Sequence, residues 1–324
     1  MHDNDATVAI SIDLELGWGL RDLPEERAAT LGSDRSVETR YLGRLLDLCT
    51  ELSVPLTFAT VGRLFDEGRR VTARLDRGPD HSLIDGRSPV TGPPLFDAPE
   101  FLDMIRGHPV PHEIGTHTFS HVICDEVSEA TLDSEFRAVT ALHEELGLGP
   151  PRSFVAPRNR LPSYDILDAH GIETVRVSRP PPSRKPREQL LNVLRTRVGT
   201  NRPLCAPPTR RHGLTEVVST PFPSLTALSL PTGRRRAPLP VRSLPLRVRQ
   251  RAHERALKRA LDRTIDAAGD LHLWSHLFNL ANTAQWPPIE SFLRELARRR
   301  DRGEVSVHTM ADYGRPDSVS QLPE

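Results

Sequence analysis

Two histidines, His117 and His121, stand four residues apart in the run His112-Glu113-Ile114-Gly115-Thr116-His117-Thr118-Phe119-Ser120-His121. If the chain turns helical after Gly115, both imidazoles fall on one face, one turn apart. That spacing suits two ligands of one divalent metal. The same spacing also arises on solvated helices, so the pair gains meaning only from other residues. The first apolar run, Val8 to Leu16, supplies two carboxylates, Asp13 and Glu15, just before Gly17-Trp18-Gly19. Residues two apart on an extended segment point to the same side. These acids therefore either face one site together or form the polar face of an edge strand. Two later apolar runs also end in polar groups: Ser153 to Ala156 leads into Arg158 and Asn159, and Leu271 to Trp274 leads into His276. Two histidines and a carboxylate make an N,N,O metal site with open positions. A second carboxylate can take a proton from an activated water, and a separate histidine can protonate a departing amine. This is the set of parts for metal-assisted amide hydrolysis.

The elements that must position these groups alternate along the chain. Val8 to Leu16 reads as a buried strand, residues 36–53 as an amphipathic helix, and Val54 to Val61 as a second strand, a βαβ beginning that favours a parallel sheet. Pro99 to Ile105 reads as a short helix before the histidine strand. Ser128 is a candidate N-cap for a helix over 129–146 that Gly147 and Gly149 close. Strands follow at Ser153 to Asn159, Glu173 to Val177, Asp270 to His276 and Val305 to Val307, with helices at 164–170, 246–268 and 287–302. A parallel barrel gathers the C-terminal ends of its strands, and with them these polar groups, at one face. Residues 62–97 have little periodicity and read as a partial helix and an exposed loop. Many of the 30 prolines fall in 180–245, where the alternation breaks, so this stretch reads as an irregular arginine-rich insert with one strand near Glu216 to Ser219.

Composition narrows the function classes. A chain of 324 residues fits a single domain over 1–324, and its formal net charge of zero removes any bulk pull toward nucleic acid or a membrane surface. The run Arg234-Arg235-Arg236 has no interleaved aromatics and reads as solvated surface. No stretch is long and apolar enough to span a bilayer, and the first residues lack a signal-peptide pattern, so the expected location is the cytoplasm. The three cysteines form no CxxC unit. The sequence sets no oligomeric state.

The chain resembles the polysaccharide deacetylase family, which shares the NodB homology domain of carbohydrate esterase family four. The resemblance rests on Ser11-Ile12-Asp13-Leu14-Glu15-Leu16-Gly17-Trp18-Gly19, the HxxxH of His117 and His121, Ser153 to Asn159, Leu273-Trp274-Ser275-His276 and the closing Thr309-Met310-Ala311-Asp312. It spans about residues 6 to 313 and covers 180–265 poorly. It implies a distorted (β/α) barrel of about seven parallel strands and removal of an N-acetyl group from a sugar or glycoside through one divalent metal, zinc first. It assigns His117 and His121 as metal ligands, Asp13 as base, Arg158 as the group that orients the base, and His276 as acid. The family's usual pair of adjacent aspartates is broken here by Leu14. Glu15 is then the expected third ligand, as in a D-x-E branch of the family, with the swapped roles of Asp13 and Glu15 open. Trp18, Asn159, Trp274 and Asn279 are expected to touch the substrate, and His272 to lie below the site. A metal-dependent amidase acting on a non-sugar amide and a non-catalytic sugar-binding barrel are the alternatives.

Overall fold

The computed structural model describes residues 6–21, 23, 31, 34–67, 93–178, 203, 205–220, 224–239 and 241–314. Its first strand, β1 (Ala6–Leu14), is buried along its whole length and is the axis of the sheet. The chain then runs α1 (Ser36–Leu52), β2 (Thr57–Thr60), α2 (Pro99–Arg106), β3 (Glu113–Thr116), α3 (Glu129–Glu145), β4 (Ser153–Val155), α4 (Tyr164–Ala169), β5 (Thr174–Ser178), β6 (Thr209–Arg211), β7 (Leu214–Ser219), α5 (Leu246–Asp266), β8 (Asp270–His276), α6 (Leu277–Leu280), α7 (Trp286–Asp301) and β9 (Val305–His308).

Seven parallel strands close into a ring in the order β1, β2, β3, β4, β5, β7, β8 and back to β1. This is the distorted barrel that the resemblance implied. Two seams are weak: β3 and β4 share one registered pair, Thr116 with Phe154, and β7 and β8 share one, Ser219 with His272. β9 runs beside Ala6–Ala9 of β1, and β2 takes over the same edge from Ser11 onward. β6 adds an antiparallel hairpin to β7. The strand expected near Glu216 to Ser219, within the stretch read as an irregular insert, is β7 and belongs to the barrel. Residues 179–202 lie outside the described residues, as do 68–92 of the expected loop.

Alternation along β1 divides core from site. Val8, Ile10, Ile12 and Leu14 belong to the main apolar cluster, together with Leu42, Leu45 and Leu46 of α1, Leu257 and Leu261 of α5, and Phe292 and Leu293 of α7. The intervening side chains fill the barrel. Ala9 packs with Val217 and Tyr313, Ser11 meets polar groups of β5 and β8, and Asp13 stands above them. The period of two places one face of β1 under the helices and the other inside the barrel. At the opposite end, Glu113 accepts from Thr57 Oγ1 and the Ala311 backbone N–H, and Ser153 also donates to it. It is a structural tie among three segments, on the far end of β3 from the histidines. The helix after Ser128 begins as expected, with Ser128 Oγ accepting from the Thr131 N–H at 3.3 Å. Among the described residues, no helix is long and apolar enough to cross a membrane.

Candidate active site

The expected helix after Gly115 is absent. Residues 117–123 form an irregular loop that turns at Thr118 (φ 62°) and His121 (φ 58°). Loop hydrogen bonds replace the helical ladder. Gly62 N–H donates to Thr118 O at 3.1 Å, Val122 N–H to Thr118 Oγ1 at 3.1 Å, and Ser120 N–H to the buried Glu135 carboxylate of α3 at 2.7 Å. The two histidine rings still meet, with centroids 5.0 Å apart. They do so by loop geometry. Left-handed φ at Leu16, Thr118, His121, Arg158 and Asn159 gathers the strain at strand ends around the site, at roughly 1–2 kcal/mol per non-glycine residue.

Glu15 is the carboxylate the histidines share. Its Oε2 lies 3.1 Å from His117 Nε2 and 3.0 Å from His121 Nε2, and all three side chains are buried. Gly19 makes this possible, since a Cβ there would stand 2.0 Å from Glu15 Cδ. The His117 ring is fixed from behind, with Nδ1 at 2.7 Å from Val155 O. A carbonyl can only accept, so Nδ1 carries the proton. In the neutral ring Nε2 then presents a lone pair to Glu15. Burial holds the His121 pKa below its ordinary value, against the pull of Glu15. Burial also opposes charge on Glu15, yet the surrounding histidines win and hold its carboxyl well below the usual range. An ionised oxygen facing an unprotonated nitrogen at 3.1 Å is repulsive unless a proton or a cation lies between them. Zinc ligands about 2.0–2.1 Å from a tetrahedral ion stand roughly 3.3 Å apart. Among the described residues this trio is the one group of three with metal-ligand spacing, its donor atoms all within 4.8 Å of one another, and it fits a divalent ion.

Asp13 is held differently. Arg176, on β5, donates Nη1 to Oδ1 at 2.6 Å and Nη2 to Oδ2 at 2.7 Å, a bidentate pair with both side chains buried. Burial opposes the charge on Asp13, but the guanidinium outweighs it and the carboxyl sits below the usual aspartate range. Ser11 Oγ accepts from Arg176 Nη1 at 3.0 Å and lies 2.9 Å from His272 Nε2. His272 is therefore inside the barrel beneath the site, and burial drives its pKa down to about 3. The Trp274 ring lies 4.4 Å from Arg176 Cζ. The sequence reading gave the orienting role to Arg158 and missed Arg176. Arg158 Nη2 donates to Gly19 O at 2.7 Å, at the mouth. A signal for Arg176 did exist, because an arginine between Val175 and Val177 in a buried strand needs a partner.

His276 ends β8 beside both acids, with Nε2 3.3 Å from Glu15 Oε1 and 3.9 Å from Asp13 Oδ2. Its ring stacks on Phe278 at 4.8 Å between centroids. Asn279 Nδ2 is 3.0 Å from His276 Nδ1. The amide donates to a neutral ring and, after a half-turn, accepts from a protonated one. Burial lowers the His276 pKa, and the two carboxylates oppose this. Asn279, expected to touch substrate, thus orients the histidine while also lining the cavity.

A cavity of about 310 Å³ opens above these groups, lined in part by Asp13, Glu15, His117, Arg176, Trp274 and His276. Asn159 and Arg158 reach it, but Trp18, expected at the substrate wall, does not line it. The Trp18 indole N–H is turned to Phe96 O at 2.9 Å, edge-on to the Phe96 ring. Leu228, Thr232 and Arg235, from the stretch read as insert, complete one wall. Arg235 is thus part of the mouth, where the sequence reading made it featureless surface.

Comparison with known proteins adds the family context. Residues 24–175 match the family described as polysaccharide deacetylase. No curated protein matches the chain. A solved structure from Mycobacterium smegmatis, described as a polysaccharide deacetylase, superposes with TM-score 0.63 at 16% identity, covering 100% of this chain and 94% of its own. Puue allantoinase superposes with TM-score 0.57 at 11% identity, covering 100% and 94%. A structure described as a probable polysaccharide deacetylase, from Pseudomonas aeruginosa PAO1, gives TM-score 0.55 at 12% identity, covering 95% and 89%. At these identities the structural likeness shows a shared fold alone.

Proposed function

We propose that this chain, whose residues 24–175 match the polysaccharide deacetylase family, is a metal-dependent hydrolase that removes an N-acetyl group from a sugar or glycoside. The observation that carries the reading is Glu15 Oε2 set between the Nε2 atoms of His117 and His121, with His117 Nδ1 anchored on Val155 O. Such an anchor behind a ligating histidine fixes its tautomer and aims the other nitrogen at an ion. A divalent ion held by these three residues, zinc by the chemistry of the donor set, would polarise the amide carbonyl and acidify a water.

The remaining steps belong to the chain's own side chains. Asp13, kept ionised and fixed in orientation by Arg176, accepts the proton of the attacking water. His276 delivers a proton through Nε2 to the departing nitrogen, since an unprotonated amide nitrogen leaves poorly. Asn279 holds the ring so that Nε2 faces the cavity in either protonation state. Trp274 and Phe278 wall the acetamido end and exclude water around it.

The test combines metal analysis with acetate release from a panel of N-acetyl sugars and N-acyl amines. Wild type should hold about one zinc per chain. Glu15→Gln should lose metal and activity together. Asp13→Asn should keep metal and lose roughly 10²–10⁴-fold in turnover. Full metal content in Glu15→Gln, or acetate release unchanged in Asp13→Asn, would overturn the assignment.

A further inference from the structure

The segment that follows Arg235 carries apolar side chains outward. Among the described residues four large apolar side chains are exposed, Leu239, Leu244, Leu246 and Val248, at 40% to 69%, and all four fall within one run of ten residues. The backbone beneath them is fixed. Ala237 and Val241 are buried and anchor the segment. Arg242 N–H donates to Pro238 O at 3.3 Å, and Leu244 N–H donates to Val241 O at 3.1 Å. Arg249, in the first turn of α5, donates Nε to Leu244 O at 3.1 Å and Nη1 to Ser229 O at 2.5 Å. Gln250 Nε2 donates to Ala284 O at 2.9 Å. Apolar side chains grouped together and held outward on an ordered backbone mark an interaction surface.

The charge written into this stretch has one sign. Residues 217–253 contain seven arginines and no aspartate, glutamate or lysine. Arg242 and Arg247 stand exposed between the apolar residues. From Arg247 onward exposed arginines recur every four residues along α5, at Arg251, Arg255, Arg259 and Arg263. Like charges at this spacing oppose helix formation, and cations in the first turn oppose the helix dipole. The first turn of α5 has no acid to offset them. Further along, Glu254 and Asp262 are turned to α7, through Ser291 and Arg299, and Asp266 is the last residue of the helix. The formal net charge of the whole chain is zero. Screening limits the reach of a surface charge to about 10 Å at 0.1 M salt, so distant acids do not cancel a local basic field.

We infer that this surface docks on an anionic lipid bilayer, with Leu239, Leu244, Leu246 and Val248 entering the headgroup boundary and Arg242, Arg247 and Arg251 meeting the anionic headgroups. The inference goes beyond the deacetylase reading and does not rest on it. Reversible bilayer association takes two signals, apolar insertion and a basic cluster, and this segment interleaves both. The other occupants fit less well. A second copy of the chain would set arginines against arginines. A nucleic acid would leave the apolar side chains in water, and residues 224–253 hold no Phe, Tyr or Trp for base stacking. Arg235 lines the cavity, and Leu239 follows it by four residues, at most about 14 Å away. A docked bilayer therefore lies close to the cavity mouth.

Vesicle flotation tests the docking without any substrate. The full chain is mixed with vesicles of phosphatidylcholine alone, or of phosphatidylcholine with about a quarter phosphatidylglycerol. Partition onto the anionic vesicles should be about tenfold or more stronger than onto the neutral ones, and should fall with added salt. Arg242→Gln/Arg247→Gln should weaken it about tenfold or more, since each arginine near such a surface contributes about fivefold. Leu244→Ser/Leu246→Ser should weaken it severalfold, because the apolar insertion is lost while every arginine remains. All four positions are exposed, so both variants should unfold at the wild-type temperature, and thermal unfolding checks this. Equal partition onto both kinds of vesicle, or onto neither, overturns the inference. Binding lost in the arginine variant but unchanged in the leucine variant also overturns it, in favour of a soluble polyanion that reads charge alone. Sedimentation velocity covers the remaining occupant. A wild-type dimer that the leucine variant dissociates, with no vesicle binding, would assign the surface to a second copy and refute the bilayer.

Discussion

Arg176→Met is the substitution whose effect the structure sets most sharply. It removes the two bonds of 2.6 and 2.7 Å to Asp13, the 3.0 Å bond to Ser11 Oγ and the contact with the Trp274 ring. Asp13 is 2% exposed, so its charge stays largely desolvated once these donors are gone. Breaking one half of a buried ion pair costs about 3–5 kcal/mol. At about 2–4 °C per kcal/mol for a large domain, the melting temperature should fall by roughly 10 °C. The double variant Asp13→Leu/Arg176→Met removes both charges and leaves apolar groups, which should recover most of the loss. Thermal or denaturant unfolding of the wild type, both single variants and the double variant gives the coupling energy, expected to be about 2 kcal/mol or more. The sign with pH follows from Asp13, whose folded pKa lies below its ordinary value of 3.8. The unfolded state takes the proton first, so this contribution is complete above about pH 4 and is lost as pH falls below it. An Arg176→Met protein as stable as wild type, or a double variant no more stable than the sum of the singles, would refute the reasoning.

Gly19→Ala should empty the metal site while leaving the barrel folded, because the new Cβ would occupy the place of Glu15 Cδ, 2.0 Å away. Elemental analysis beside circular dichroism checks this, and full metal content would mean that Glu15 has another rotamer open to it. His253 is buried on α5 with Nε2 2.9 Å from Leu225 O, and burial lowers its pKa from 6.5 to about 4. The unfolded state therefore binds a proton between those values that the folded state refuses, and stability falls as pH drops through that window. His253→Gln should remove up to about 1.4 kcal/mol per pH unit from that slope, read by denaturant titration at several pH values. An unchanged slope would show that His253 is not the group that resists protonation.

Much of the site was written in residue types. Carboxylates do not end an apolar strand without compensation, and histidines at ligand spacing after another strand are informative once such acids accompany them. Asp13, Glu15, His117, His121 and His276 were legible on that ground, as were the strands that carry them. Local pattern also marked Ser128 as a cap, because capping depends on a few neighbouring residues. The HxxxH run does not take the helical turn that its spacing allows, because its conformation is set by Gly62, Val122 and the Glu135 carboxylate. Of these, Gly62 follows β2 and Glu135 lies on α3, so neither belongs to the loop's own local pattern.

What only the tertiary structure decided is which charge answers which. Arg158 follows one strand pattern and Arg176 lies within another, and neither position says which arginine meets Asp13. Closure of the barrel settles it by bringing β5 opposite β1 across the interior, with Arg176 beneath Asp13. The choice between Asp13 and Glu15 as partner of the histidines is settled in the same way. Glu15 turns back over Gly19 toward the HxxxH loop, and Asp13 stays in the barrel under its arginine. The wall that carries Arg235 was opaque for a related reason. Its order comes from side chains of Gln285 and Asn282, some fifty residues later, and not from any repeating backbone pattern of its own. Sequence fixes periodicity and residue chemistry, which are local. Pairing across a closed sheet depends on distances in space, which only the folded chain defines.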